Sequence, residues 1–214
     1  MLTRAAMPPS LAVNLIALLL FASPAQEAAP VLHIDRAPSY VLAVTGKTGL
    51  FSFAAHEHAV LATEWSADVN NEPARRSVEV TIAVRALVID SAEGVRLARL
   101  GSAPSASDVA KIQQRMLGPE VLDAQRFPTI QFRSTAVEER PGGYELRGQF
   151  ALHGQTHEVV IPVRFTGTTL GDAGAYDGTF TIRQTWFGMK PETVGGGAVR
   201  VKDEIQIRFH IVAR

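Results

Sequence analysis

The chain has 214 residues, and its 21 Lys and Arg balance 21 Asp and Glu. A net charge of zero leaves no nucleic-acid footprint and no polybasic run to grip an anionic membrane. Hydrophobic residues make up 46%, enough for one good core, and cysteine is absent, which excludes disulfides, thiol redox chemistry and a lipidated cysteine.

The first element reads as a targeting segment. Arg4 supplies a weak positive start, and Leu11–Ala22 is apolar apart from Asn14. That run has the length of a signal-peptide core and is too short for a comfortable membrane span. Ser23-Pro24-Ala25 places small residues where a signal peptidase reads. We therefore expect residues 1–25 to be a signal peptide, with Gln26 as the mature N-terminus and residues 26–214 as one domain. The competing reading is an uncleaved membrane anchor. A soluble protein exported to the periplasm is the expectation.

After residue 30 nearly everything reads as strand. Gly46-Lys47-Thr48 is similar to the end of a phosphate-binding loop, but Val41 stands where the first glycine belongs, and strand-like residues follow instead of a helix. His56-Glu57-His58 is the sharpest candidate for chemistry. On a strand, residues i and i+2 point to one side, so His56 and His58 could share a metal, with His153 or His157 as a third ligand. Zinc with three protein ligands and an open position is a catalytic layout. The competing readings are a polar rim at a cavity mouth formed by His56, His58 and His157, and plain surface histidines.

Ser77–Ile89 alternates cleanly, with Val78, Val80, Ile82 and Val84 on one face and Glu79, Thr81 and Arg85 on the other. Residues 90–103 read as a loop. Ser105 and Asp108 form a capping pair, Val109, Ile112 and Met116 recur at helical spacing, and Gly118-Pro119 stops the run. The spacing predicts one short amphipathic helix over about residues 105–117, lying on the wall or over a mouth.

Four more amphipathic strands follow Pro128, which can open a strand without losing a needed ladder donor. Ile130 and Phe132 face one way; so do Leu146, Phe150 and Leu152; then Val159, Ile161, Val163 and Phe165; then Phe180 and Ile182. Arg140-Pro-Gly-Gly143 and His153-Gly-Gln-Thr156 are hairpin turns, and Leu170–Ala175 is a longer loop. Trp186-Phe187 reads as an aromatic plug at a strand end, and Gly195-Gly-Gly197 as a loop. The last strand sets Ile205, Ile207, Phe209 and Ile211 against Gln206, Arg208 and His210.

Many antiparallel strands with one apolar face each can close into a barrel or stack as a sandwich. An eight-strand barrel is either filled by side chains or holds one small ligand. Alternation assigns the inner wall to Val78, Val80, Ile82, Ile130, Phe132, Leu146, Phe150, Ile161, Phe165, Phe180, Ile182, Ile207 and Phe209. No GxSxG, HExxH or paired-acid motif is present.

The order of motifs resembles the YceI-like family. Ile34-Asp35 and Ser39, Val78–Ile82, and Phe127-Pro128 with Ile130, Phe132 and Ser134 carry the resemblance. Gly148, Leu152, Gly154, Thr156, Val159 and Phe165 continue it, and Phe187-Gly188 and Asp203-Glu204-Ile205 end it. Two departures are His153 and His157, where relatives often carry Arg or Lys, and the His56-Glu57-His58 segment. The resemblance implies a single antiparallel eight-stranded lipocalin-like β-barrel with an elongated apolar cavity. It implies a non-enzymatic periplasmic carrier of a long-chain isoprenoid or similar lipid, without a cofactor, serving transport, sequestration or stress protection. A homodimer and a membrane partner are expected on the same ground. The alternatives are a metal-dependent enzyme using His56 and His58, and an interaction module with a filled barrel.

Overall fold

A computed structural model describes residues 33–48, 57–70, 72, 75–101, 104–168, 173–191, 193–194 and 199–214. Residues 1–25, expected to be a signal peptide, His56 and the Gly195–Gly197 segment lie outside them.

Among the described residues, eleven strands form one antiparallel sheet. They are β1 (Ile34–Thr48), β2 (His58–Ala62), β3 (Trp65–Asn70), β4 (Ser77–Ala83), β5 (Leu87–Ile89) and β6 (Thr129–Arg140). Then come β7 (Gly143–Leu152), β8 (Gln155–Gly167), β9 (Gly174–Arg183), β10 (Thr193–Val194) and β11 (Val199–Ala213). The hydrogen-bonded order is β3-β4-β6-β7-β8-β9-β11-β1-β2-β5, with β10 an annex on β11.

That order returns on itself. β2 and β3 are one stave bent at Thr63–Glu64, and β4 and β5 are one stave broken by the 3-10 turn Val84–Ala86. The two broken staves pair along their length: Trp65 lies opposite Ile82, and Ala62 opposite Leu87. At the break, Thr63 N donates to Ala86 O at 3.0 Å and Ala83 N to Glu64 O at 3.1 Å. β2 also pairs with β1. Apart from the β10 annex, the ten strands of that order are therefore eight staves in a ring, the expected barrel.

One region differs from the sequence reading. The expected loop over residues 90–103 contains a helix, α1 (Ala92–Ala98), whose cap Ser91 accepts a hydrogen bond from Gly94 N and which ends at Arg99 with φ 60°. Its seven residues are too few to show helical periodicity. It packs outside the wall, where Leu42, Ala59 and Ala98 are buried together with Tyr40, Val44 and Leu61 alongside. The run Tyr40–Val44 is thus apolar on both faces, which hides the period of two. The second helix, α2 (Ala106–Leu117), matches its expected span, with Ser105 as cap. Gln113 docks it on the free edge of β5: its Oε1 accepts from Ile89 N and its Nε2 donates to Leu87 O, both at 2.8 Å. Covering that edge removes a site for unwanted strand pairing.

The short turns follow from their residues. The β7–β8 hairpin turns on His153 and Gly154, with φ 50° and 73°, the twin positive angles of a type I′ turn. Phe127 sits where a Cβ on Gly154 would need to be, 2.5 Å away. Pro128 O accepts from Val84 N at 2.9 Å, and Ser134 Oγ from Val78 N at 2.8 Å. The Phe-Pro…Ser run thereby fastens β6 to the broken stave.

Gly148 has a packing reason. A Cβ there would lie 2.4 Å from Arg133 O and 2.7 Å from the Phe132 ring. Overpacking of this kind costs about 1–3 kcal/mol. Gly148→Ala is expected to lose that much stability in urea denaturation with an unchanged m-value.

Candidate functional site

The inward faces of the staves enclose a cavity of about 280 Å³. Its border includes Val41, Ala43, Val60, Ala67, Val80, Ile130, Phe132, Phe150, Ile161, Phe180, Ile207 and Phe209. Among the described residues no charged one borders it, and Thr45, Trp65, Tyr144, Tyr176 and Gln184 contribute the only polar side-chain atoms there. The volume lies at the lower edge of the roughly 300–1,000 Å³ usual for small-molecule sites. The interior is thus not packed solid.

Every wall position assigned from alternation borders this cavity except Phe165. Phe165 stacks on Tyr176 at 4.6 Å and leans on Tyr144 at 5.9 Å, beyond the cavity rim. The sequence reading missed the β1 contribution, Val41, Ala43 and Thr45, because the opposite face of that strand is apolar too. It also missed Trp65, because the bend at Thr63–Glu64 interrupts the alternation. Met116 and Leu122, from α2 and the turn after it, and Gln184 and Met189, near the second 3-10 turn (Gln184–Phe187), also border the cavity.

Phe187 closes that end. It is fully buried and meets Phe150 edge-on at 5.7 Å and His157 at 5.1 Å. Trp186 is 42% exposed and stacks on His157. Gln184 Nε2 donates to Lys202 O at 2.8 Å, so its buried amide is satisfied.

The histidines do separate things. His58 Nδ1 lies 2.6 Å from Asp90 Oδ2, and Asp90 Oδ1 accepts from Ala59 N at 2.9 Å. The Asp90 carboxylate is wholly buried, and its backbone holds φ 49°. His153 Nδ1 donates to Phe187 O at 2.9 Å, and its ring meets Phe127 edge-on. His157 lies between Trp186 and Phe187, and His210 pairs with Asp177 at 2.8 Å. Among the described residues no three His, Cys, Asp or Glu side chains gather to hold a metal. His56 lies outside the described residues. Asp90, which the sequence reading did not single out, is the partner that fixes His58.

A second, larger hollow of about 830 Å³ lies outside the ring between β1, the Thr63–Glu64 bend and α1. It is open to solvent, with Arg36, Glu64, Glu93 and Arg96 beside Leu61, Trp65 and Leu97, so it cannot shield a hydrocarbon chain from water. The enclosed cavity is the candidate ligand site.

The chain matches the YceI-like domain over residues 33–213. It is similar to the crystal structure of BcnA from Burkholderia cenocepacia, with a TM-score of 0.59 and 25% identity over 85% of this chain and 100% of that one. It shares its fold with the Campylobacter jejuni YceI protein, at a TM-score of 0.52 and 13% identity over 71% of this chain and 82% of that one. A UPF0312 protein of Vibrio cholerae is 29% identical over 89 residues, 39% of this chain and 47% of that protein. The match thus spans about half the length of that relative.

Leaving a buried donor without its acceptor costs about 1–3 kcal/mol. Asp90→Ala strands the Ala59 N–H and removes the oxygen beside His58 Nδ1, so it is expected to lose at least about 2 kcal/mol in thermal or urea unfolding. Asp90→Asn, which can still accept that bond, is expected to lose less.

Proposed function

This chain belongs to the YceI-like family, a family of binding barrels, and we propose that it is a non-enzymatic periplasmic carrier for one long-chain isoprenoid or similar amphiphilic lipid. The hydrocarbon lies inside the ring, and the cargo is exchanged with a membrane or a membrane-bound partner. Residues 1–25 act as the signal peptide that exports it.

One observation carries this reading: an unfilled interior whose described wall is apolar and without charge. Water in such a space would find few partners. Each methylene moved into it from water gains about 0.8 kcal/mol, so ten give about 8 kcal/mol before the costs of association. Met116 and Met189 at the closed end are flexible side chains that can move aside for a longer tail.

Native mass spectrometry with organic extraction tests the proposal, on protein purified from a bacterial periplasm. A discrete co-purified hydrocarbon-chain ligand is expected. An empty protein that stays empty after incubation with isoprenoid lipids contradicts the carrier reading and favours an interaction module. Ala43 borders the cavity, so Ala43→Phe is expected to weaken lipid binding about tenfold or more, the loss of roughly two methylenes' burial. Its folding midpoint should move little, because the added ring enters empty space.

A further inference from the structure

Between β1 and β3 the wall is held differently from everywhere else in the ring. The β1–β2 ladder covers only Leu42–Thr45 against His58–Leu61. Continuing that register would set Pro38 opposite Trp65, and proline has no N–H to give. The chain does not continue it. Asp35 pairs with Val212 and Tyr40 with His210 on β11, so Arg36–Ser39 bulge out of the sheet. Ser39 Oγ donates to Asp35 O at 2.5 Å and accepts from Val212 N at 2.9 Å, and Ala37 N donates to Asp35 Oδ1 at 3.3 Å. The Asp35 and Ser39 pair therefore builds the bulge.

The bulge carries Arg36 across the split. Its guanidinium lies 4.2 Å over the Trp65 ring and donates to Trp65 O. Trp65 is itself 7% exposed and borders both the inner cavity and the outer hollow. Arg96, the other cation of the hollow, is held by Glu93, whose carboxyl is pulled below the ordinary carboxylate range by that hydrogen bond, at 2.9 Å. A strand ladder would have to break several backbone bonds to open here. An exposed arginine need only swing away.

We propose that the split between β1 and β3 is a side doorway to the cavity, with Arg36 as its latch and Trp65 as its leaf. An amphiphile slips its chain sideways through this slot while its polar end stays in the outer hollow. This rests on the carrier reading, and it names the route that the ligand takes. The far end of the barrel offers the rival route. Phe165 and Tyr176 stand there, on strands that stay paired.

Trp186→Phe leaves Trp65 as the single tryptophan of the chain, which has two. In that background, acrylamide quenching reads the exposure of Trp65, and stopped-flow energy transfer from Trp65 to all-trans-retinol, an isoprenoid alcohol, reads uptake and release. Arg36→Ala is expected to raise quenching, and to raise both rate constants about tenfold with Kd changed less than about threefold, since removing a latch lowers the barrier in both directions. Arg36→Lys, which keeps the charge but not the planar fork, should fall between. Urea midpoints confirm that each variant is folded. Raised quenching with unchanged rates overturns the doorway and leaves the carrier intact. So does a Tyr176→Ala variant that speeds exchange when Arg36→Ala does not. Unchanged quenching removes Arg36 as the latch and overturns the proposal. Retinol that binds no form of the protein contradicts the carrier reading itself.

Discussion

The backbone hydrogen bonds between the Thr63–Glu64 bend and the Val84–Ala86 turn hold the architecture together. They let two interrupted staves pair as one hairpin across a break in both. Without them β3 and β5, the ends of the hydrogen-bonded order, would be the edges of an open sheet, and a row of unpaired backbone groups would face solvent. With them the ring closes, each stave gains an inside and an outside, and every period-two alternation acquires a meaning. Gln113 from α2 completes the closure by satisfying the edge of β5 that the short strand leaves free.

Closure alone does not make a hollow. The interior stays open because large rings are seated in the wall rather than across it. The Phe132 ring occupies the space a side chain on Gly148 would fill, and the Phe209 ring does the same at Gly178, where a Cβ would come within 2.2 Å. Rings laid against glycines hug the wall and leave the axis unfilled. Phe187 then closes one end with a wholly buried side chain. Steric fit and burial thus set a cavity of about 280 Å³ with no charge on its border. Burial of hydrocarbon is the interaction such a space favours.

Much of this was legible in the sequence, for identifiable reasons. Strands β4, β6, β7, β8, β9 and β11 meet water on one side and the cavity on the other, so their alternation names the wall. Phe165 obeys the same alternation but lies past the rim, because phase says which face a residue is on and not how far along the barrel it sits. β1 escaped because α1 covers its outer face, and α1 escaped because seven residues are less than two full helical periods. Trp65 and Asp90 were hidden for a different reason. One follows a bend and the other sits at a positive φ, and both owe their roles to residues about thirty positions away. The Asp35 and Ser39 motif could be quoted from the sequence, but its purpose, a bulge that throws Arg36 across a split, needed the register of three staves.

The most direct test of a hollow, lipid-holding ring is a crystal structure of the protein grown with a saturating isoprenoid alcohol of twenty carbons or more. The account predicts continuous ligand density along the barrel axis, in contact with Phe132, Phe150 and Phe209. Ligand bound only in the outer hollow or on the surface, with the interior empty or collapsed, would contradict it.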